Sequence, residues 1–212
     1  MVGVIGLTSG CGSAAATVTN ESKSFDAPAD RLVISADYDL SVATHSGDTI
    51  EVERQVPEAW NPTTTLQGDT LELRVDRPKV NFGADAEADV LVPEGLALEV
   101  RMPNADLEGA DLADGLTVHK SNGDVLLTDV SGTVDVTMTN GDIDLSASEP
   151  LDELRLRTKN GDIVARLGGT ETYDVSADTV NGEVAVDVPK RKGADRTIDA
   201  SNTNGDITIK DR

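Results

Sequence analysis

One tripeptide recurs through the second half of the chain: Asn122-Gly123-Asp124, Asn140-Gly141-Asp142, Asn160-Gly161-Asp162, Asn181-Gly182-Glu183 and Asn204-Gly205-Asp206, with Asn104-Ala105-Asp106 ahead of them. Successive copies lie 18, 18, 20, 21 and 23 residues apart. Two chemistries suit these residues. Asn tolerates positive φ, Gly adopts it at no steric cost and Asp accepts a bond from a nearby backbone N–H, so each copy reads as a turn. Stacked Asn amides can also bond to one another as a ladder. Alternatively, Asp124, Asp142, Asp162, Glu183 and Asp206 stacked at about 4.8 Å would repel by about 0.9 kcal/mol per neighbouring pair even at bulk-water dielectric. A bridging Ca²⁺, which takes an all-oxygen shell, would relieve that column. The Gly-Gly-x-Gly-x-Asp repeat of calcium-binding β-rolls is absent, so these positions are assigned as structural turns, with no metal and no cofactor.

The remaining inventory for catalysis is thin. His45 and His119 are the two histidines, neither has a cysteine or a second histidine at metal-ligand spacing, and His119 stands in an alternating strand where it faces solvent. There is no Gly-x-Ser-x-Gly elbow and no phosphate-cradling Gly-x-x-x-x-Gly-Lys loop. Carboxylates for glycoside chemistry abound, but 39 acids supply pairs by chance, and an aromatic content of 2% leaves few platforms for sugar rings. No catalytic residue is assigned. The 39 acids against 18 bases give a net charge of -21, which excludes phosphate-backbone recognition and repels an anionic lipid surface.

Cys11 is the single cysteine, so no intrachain disulfide forms. It follows an apolar, small-residue run (MVGVIGLTSG) that reads as a lipobox, in which the thiol takes a diacylglycerol. Two departures are that Leu7 sits four residues before the cysteine and that no Lys or Arg precedes it. The expected organisation is a signal-peptide remnant over 1–11 ending at the lipidated Cys11, a flexible polar tether over 12–24, and a single domain over 25–212.

The elements around each Asn-Gly-Asp alternate with period two, as in Val134, Val136 and Met138 before one copy and Ile143 and Leu145 after it. That pattern marks half-buried strands, and no ten-residue segment keeps a helical period. The fold class is therefore all-β. Repeats of this length predict a single-domain β-solenoid whose coils of about 18–23 residues stack in register, each Asn-Gly-Asp forming a corner. An antiparallel meander of hairpins with type I′ turns is the alternative, and strand parity does not decide between them. Length variation is expected at the opposite corner, at Ser148-Glu149-Pro150 and Lys190-Arg191-Lys192-Gly193.

The stretch VPEGLALEVRMPNADLEGADLADGLTVHKSNGDVLL, Val92 to Leu127, resembles the DUF4097 domain, a family of candidate bacterial adhesins. In that pattern a Val-Pro with a nearby Gly ends one strand, an apolar run follows, and Asn-Gly-Asp-Val coils come after. The resemblance runs from about Phe25 to Arg212; this chain departs from it in having Ala105 for Gly and no cysteine pair before the Val-Pro strand. The resemblance implies a β-solenoid exposed on the cell envelope, often membrane-anchored, without enzymatic activity. Within it, the run after Arg31 reads as two strands around Ser46-Gly47-Asp48, with further strands at Leu71–Val75 and Asp89–Val92. Trp60, flanked by Pro57 and Pro62, is expected to cover the terminal coil. The expected function is that of a non-catalytic, lipid-anchored surface or adhesion-type module. Its expected partner is an envelope protein or a cationic ligand, with membrane contact through the lipid only and no nucleic acid. The alternative is a Ca²⁺-dependent carbohydrate-binding or polysaccharide-degrading β-helix.

Overall fold

The computed structural model describes residues 18–28, 30–58, 60–76 and 86–212. Cys11 and the expected lipobox lie outside the described residues. Nineteen strands follow one another in this part of the chain. The first seven are β1 (Val18–Asp26), β2 (Arg31–Ala36), β3 (Asp39–His45), β4 (Thr49–Pro57), β5 (Asn61–Gln67), β6 (Thr70–Asp76) and β7 (Glu87–Pro93). The repeating region holds β8 (Ala97–Met102), β9 (Leu107–Ala110), β10 (Leu116–Lys120), β11 (Val125–Thr128), β12 (Thr133–Thr137), β13 (Ile143–Ala147), β14 (Glu153–Arg157) and β15 (Ile163–Leu167). It closes with β16 (Tyr173–Asn181), β17 (Val184–Asp187), β18 (Arg196–Asn204) and β19 (Ile207–Asp211).

The strands form two sheets. From β8 onward, even-numbered strands belong to a nine-stranded sheet and odd-numbered ones to a ten-stranded sheet. Each coil thus crosses from one sheet to the other at its Asn-Gly-Asp corner. Strands of successive coils pair in parallel, with Leu116 opposite Val134 and Ile143 opposite Ile163. This is the solenoid and not the hairpin meander: β12 and β13, which a type I′ turn would pair, lie in different sheets. Alternation does the packing. In β12, Val134 and Val136 are fully buried between the sheets while Thr133 and Thr137 face solvent, and Ile143 and Leu145 close the same layer from the opposite sheet.

Both ends depart from a simple coil order. At the N-terminal end β4 pairs antiparallel with β1 and β7, and β5 pairs antiparallel with β6, so the parallel ladders stop against antiparallel strands. Residues 18–24, read from sequence as tether, run inside β1 and pair with β4. Trp60 is buried in the core beside this end rather than open to a ligand. At the C-terminal end the sheet orders are β14-β18-β16 and β15-β19-β17. The chain therefore skips one layer to lay down β16 and β17, then returns to insert β18 and β19 beneath them.

Candidate functional site: the Asn-Gly-Asp corner column

The six corners stack into one column, held by two hydrogen-bond ladders. In the first, each Asn amide Nδ2 donates to the Oδ1 of the Asn in the layer before it: Asn122 to Asn104 (2.8 Å), Asn140 to Asn122 (2.8 Å), Asn160 to Asn140 (2.7 Å), Asn204 to Asn160 (2.6 Å) and Asn181 to Asn204 (2.9 Å). In the second, each acidic residue's backbone N–H donates to the Oδ1 of the Asp one layer back: Asp124 to Asp106 (2.7 Å), Asp142 to Asp124 (2.9 Å), Asp162 to Asp142, Asp206 to Asp162 and Glu183 to Asp206 (each 2.8 Å). Asp39, at the start of β3, extends this ladder by accepting from the Asp106 N–H at 2.9 Å.

The inserted last coil corrects the expected stacking order. Asn204-Gly205-Asp206 sits between the corners at 160 and 181, so Asp206 abuts Asp162 across 44 residues of chain. It also accounts for Glu183. An Asp is required where its carboxylate must reach the next layer's N–H, and the corner at 181 is the outermost, with no further coil among the described residues to serve.

Because the second ladder needs an oxygen and not a charge, the two simplest variants of Asp142 should part company. Asp142→Asn keeps the acceptor, trading a charge-assisted bond for relief of like-charge repulsion, and should change stability by less than about 0.5 kcal/mol. Asp142→Ala leaves the Asp162 N–H without its partner and should cost about 1 to 2 kcal/mol. Urea midpoints of the two variants measure the difference.

The middle residue of each corner is set by close approach. A Cβ on Gly161 would lie 2.0 Å from the Gly141 carbonyl oxygen, and one on Gly205 would lie 2.3 Å from that of Gly161. The corner carbonyls in turn take donors from the residue two before the next layer's Asn. Thr158 Oγ1 donates to Gly141 O at 3.2 Å, Asn202 Nδ2 to Gly161 O at 2.9 Å and Thr179 Oγ1 to Gly205 O at 3.1 Å. This fourth position of the motif was missed from sequence. Its signal is a polar residue standing where strand alternation calls for an apolar one.

Lys120 occupies that same position two coils before Thr158, between Met102 and Met138, and is buried at 6% exposure. Its ammonium donates to the Ala105 carbonyl and, at 2.6 Å, to the Asp124 carbonyl. Burial pulls the amine down to about 8 from the usual 10.5, against the opposing pull of Asp106, Asp124 and Asp39. A Lys whose folded value is depressed costs stability while charged. The cost is full below about 8 and is relieved as pH rises towards 10.5, where the unfolded chain also loses its proton. Lys120→Met, which copies the neighbouring layers, should raise stability by about 1 to 2 kcal/mol at pH 7. The gain should shrink above pH 8 and reverse near 10.5, where the neutral amine still bonds both carbonyls; urea midpoints at the two pH values test this.

The outer faces of the sheets differ. On the nine-stranded sheet, charges neutralise one another: Arg155 bonds Asp135 (3.0 Å) and Glu153 (2.7 Å), and Glu99 pairs with Arg31 (3.2 Å) and Arg101 (2.5 Å). On the ten-stranded sheet, Glu51 and Glu53 of β4, Glu87 and Asp89 of β7 and Glu108 of β9, which lies beyond β3, point outward and line shallow depressions of 280 and 340 Å³. Among the described residues no group of three or more His, Cys, Asp or Glu is arranged to hold a metal ion. His119 is exposed, as expected, and His45 bonds the Thr49 carbonyl at 2.7 Å. At the opposite corner Arg212 reaches across Gly168 to Asp129 and Ser148, and these bonds hold the Asp129 carboxyl below its usual range.

A family model described as Toastrack DUF4097 matches residues 17–210. The chain belongs to the Toastrack DUF4097 family. A crystal structure of a candidate cell adhesion protein from Clostridium sporogenes is similar to this Toastrack chain with a TM-score of 0.57 at 12% identity, covering 92% of this chain and 100% of that one. That likeness is one of fold. A candidate adhesin from Bacteroides fragilis aligns at 11% identity and a TM-score of 0.49, over 90% of this chain and 97% of that one. A search of curated proteins finds no match. In this Toastrack chain every Asn and all but the outermost acid of the column spend a side-chain group on the adjacent layer.

Proposed function

We propose that this Toastrack chain is a non-catalytic, adhesin-like module of the cell envelope, tethered to the membrane through a lipid on Cys11 and acting by presenting rigid sheet faces to a partner. The observation that carries the reading is the direction in which the repeated polar groups act. Asn and Asp residues that could have formed a ligand site are bonded layer to layer, so the column stiffens the rod and leaves recognition to its outer surface. The same commitment disfavours the Ca²⁺-dependent alternative, because one oxygen of each carboxylate from Asp106 to Asp206 already accepts a backbone N–H. A flat acidic face on β4, β7 and β9 suits a cationic ligand or a basic envelope protein and repels nucleic acid. Residues 1–11 serve as the export and lipidation signal, and the short segment before Val18 as the tether.

The test is expression of the full chain in cells otherwise lacking it, with attachment to a surface or to other cells measured under flow. Attachment should rise above that of the parent cells, and Cys11→Ser should abolish the rise by releasing the module from the detergent-extractable membrane fraction. Equal attachment by all three would sink the reading.

A further inference from the structure

The two ends of the solenoid stop differently. At the N-terminal end the parallel ladders run into antiparallel strands. At the other, β16 and β17 are the last strands of their sheets, both parallel to their inner neighbours, and beyond the pairing of residues 189–191 with Tyr173 nothing in the described chain covers the layer they form. Val180 is 74% exposed and Val184 42%, flanking the outermost corner, while Val175, Ala177 and Val186 are only partly covered. Bare strand edges beside exposed valines are what single-chain domains ordinarily block with charge, bulges or a covering segment.

The charge on this coil is divided between its two corners. One is Asn181-Gly182-Glu183, the end of an acidic column. The other is Lys190-Arg191-Lys192, the one run of three consecutive basic residues in a chain of net charge -21. Lys190 bridges to Tyr173 on the side away from β18, with the Tyr173 N–H on the Pro189 carbonyl and the Arg191 N–H on that of Tyr173. The basic corner therefore stands one layer beyond the coil.

We propose that two copies of this chain stack end to end through their outermost coils, about a two-fold axis lying across the strands. That operation sets β16 antiparallel to β16 and β17 antiparallel to β17, and it seats each protruding basic corner on the acidic Asn181-Gly182-Glu183 corner of the second copy. The other two-fold that brings these coils together, along the strands, would set basic corner on basic corner. Head-to-tail stacking would place the basic corner on the antiparallel end instead. A two-fold closes and grows no fibre. The free edge of β16, from Val175 to Asn181, is about 23 Å long at roughly 3.3 Å per residue, and the sheets lie about 10 Å apart, so the contact falls below the size of stable interfaces and belongs with weak, transient ones. Association should accordingly be reversible, concentration-dependent and weakened by salt. This inference is independent of the adhesion reading.

Sedimentation of the full chain, with reductant present to prevent cross-linking through Cys11, tests it. The expected result is a shift from monomer to dimer mass as concentration rises, reversed by high salt. Glu183→Lys alone, and Lys190→Glu with Arg191→Glu and Lys192→Glu, should each remain monomeric with an unchanged circular dichroism spectrum. Mixed one to one, those two variants should dimerise, because both corners of the mixed pair are again complementary. A wild type that stays monomeric throughout, or a dimer that both variants leave intact, would overturn the proposal; so would failure of the mixture to associate.

Discussion

Gly141→Ala should cost about 4 kcal/mol of stability, far more than a methyl group at a turn normally does. Gly141 has φ of 126°, and a Cβ there would sit 2.3 Å from the Gly123 carbonyl oxygen, 2.7 Å from its carbonyl carbon and 2.8 Å from Met138 Cε. The methionine end can rotate aside; the backbone of the layer below cannot. Relief requires the layers to part, which stretches the Asn140–Asn122 amide bond and the bond from the Asp142 N–H to Asp124 together. Gly95 is the control, with φ of 82° and nothing within 4 Å of its would-be Cβ. Gly95→Ala should lose only about 1 kcal/mol, the cost of holding alanine at positive φ. Guanidinium unfolding followed by circular dichroism compares them. Equal losses would mean that turn conformation alone selects the glycine and that stacking contributes nothing.

That comparison marks the line between what the residues disclose and what only the stack reveals. Positive φ at Asn-Gly is a local property and legible in the tripeptide, as is the two-residue alternation that puts Val134 and Val136 inside. The parallel, coil-by-coil architecture followed from near-constant spacing. The order of the last two coils did not, because parallel pairing between chain-distant layers leaves no local mark. Its faint trace was Glu183, the one corner acid that is not Asp and the one whose carboxylate has no further layer among the described residues to serve. The antiparallel end was equally hidden. Residues 19–24 are polar at every position, like any exposed segment, and only their pairing with β4 makes them a strand. Lys120 and Arg54 break the apolar alternation of their own strands, and the repeat conceals what satisfies them, since their partners lie in other layers or other strands.

Arg54 carries the second large effect. Its side chain is fully buried in β4, and it bonds both to the neighbouring strand of its own sheet and across the gap to the other sheet. Nε donates to Glu21 of β1 at 2.5 Å, while Nη1 reaches the Tyr38 hydroxyl (3.3 Å), the Thr63 carbonyl of β5 (3.2 Å) and the Arg74 carbonyl of β6 (3.4 Å). One guanidinium thus ties the outermost strands of the ten-stranded sheet to those of the nine-stranded sheet, at the end where the solenoid needs closing. Arg54→Leu strands a carboxylate and two carbonyls and should cost about 3 to 5 kcal/mol. Lysine should recover little of it, since a single ammonium cannot reproduce the planar fork. The pair also sets an acid limit. Partial burial raises the Glu21 carboxyl, but hydrogen bonds and charge from Lys23 and Arg54 outweigh it and hold the group below its usual 4.5. A depressed carboxylate contributes stability that is complete above the unfolded value and lost as pH falls from there through the folded one. Wild type should therefore lose stability below pH 4.5 faster than Glu21→Gln does. The loss should appear first as hydrogen exchange in β1 and β5, with β12 to β15 still protected; simultaneous exchange of all strands would show that the end cap and the coils unfold as one unit.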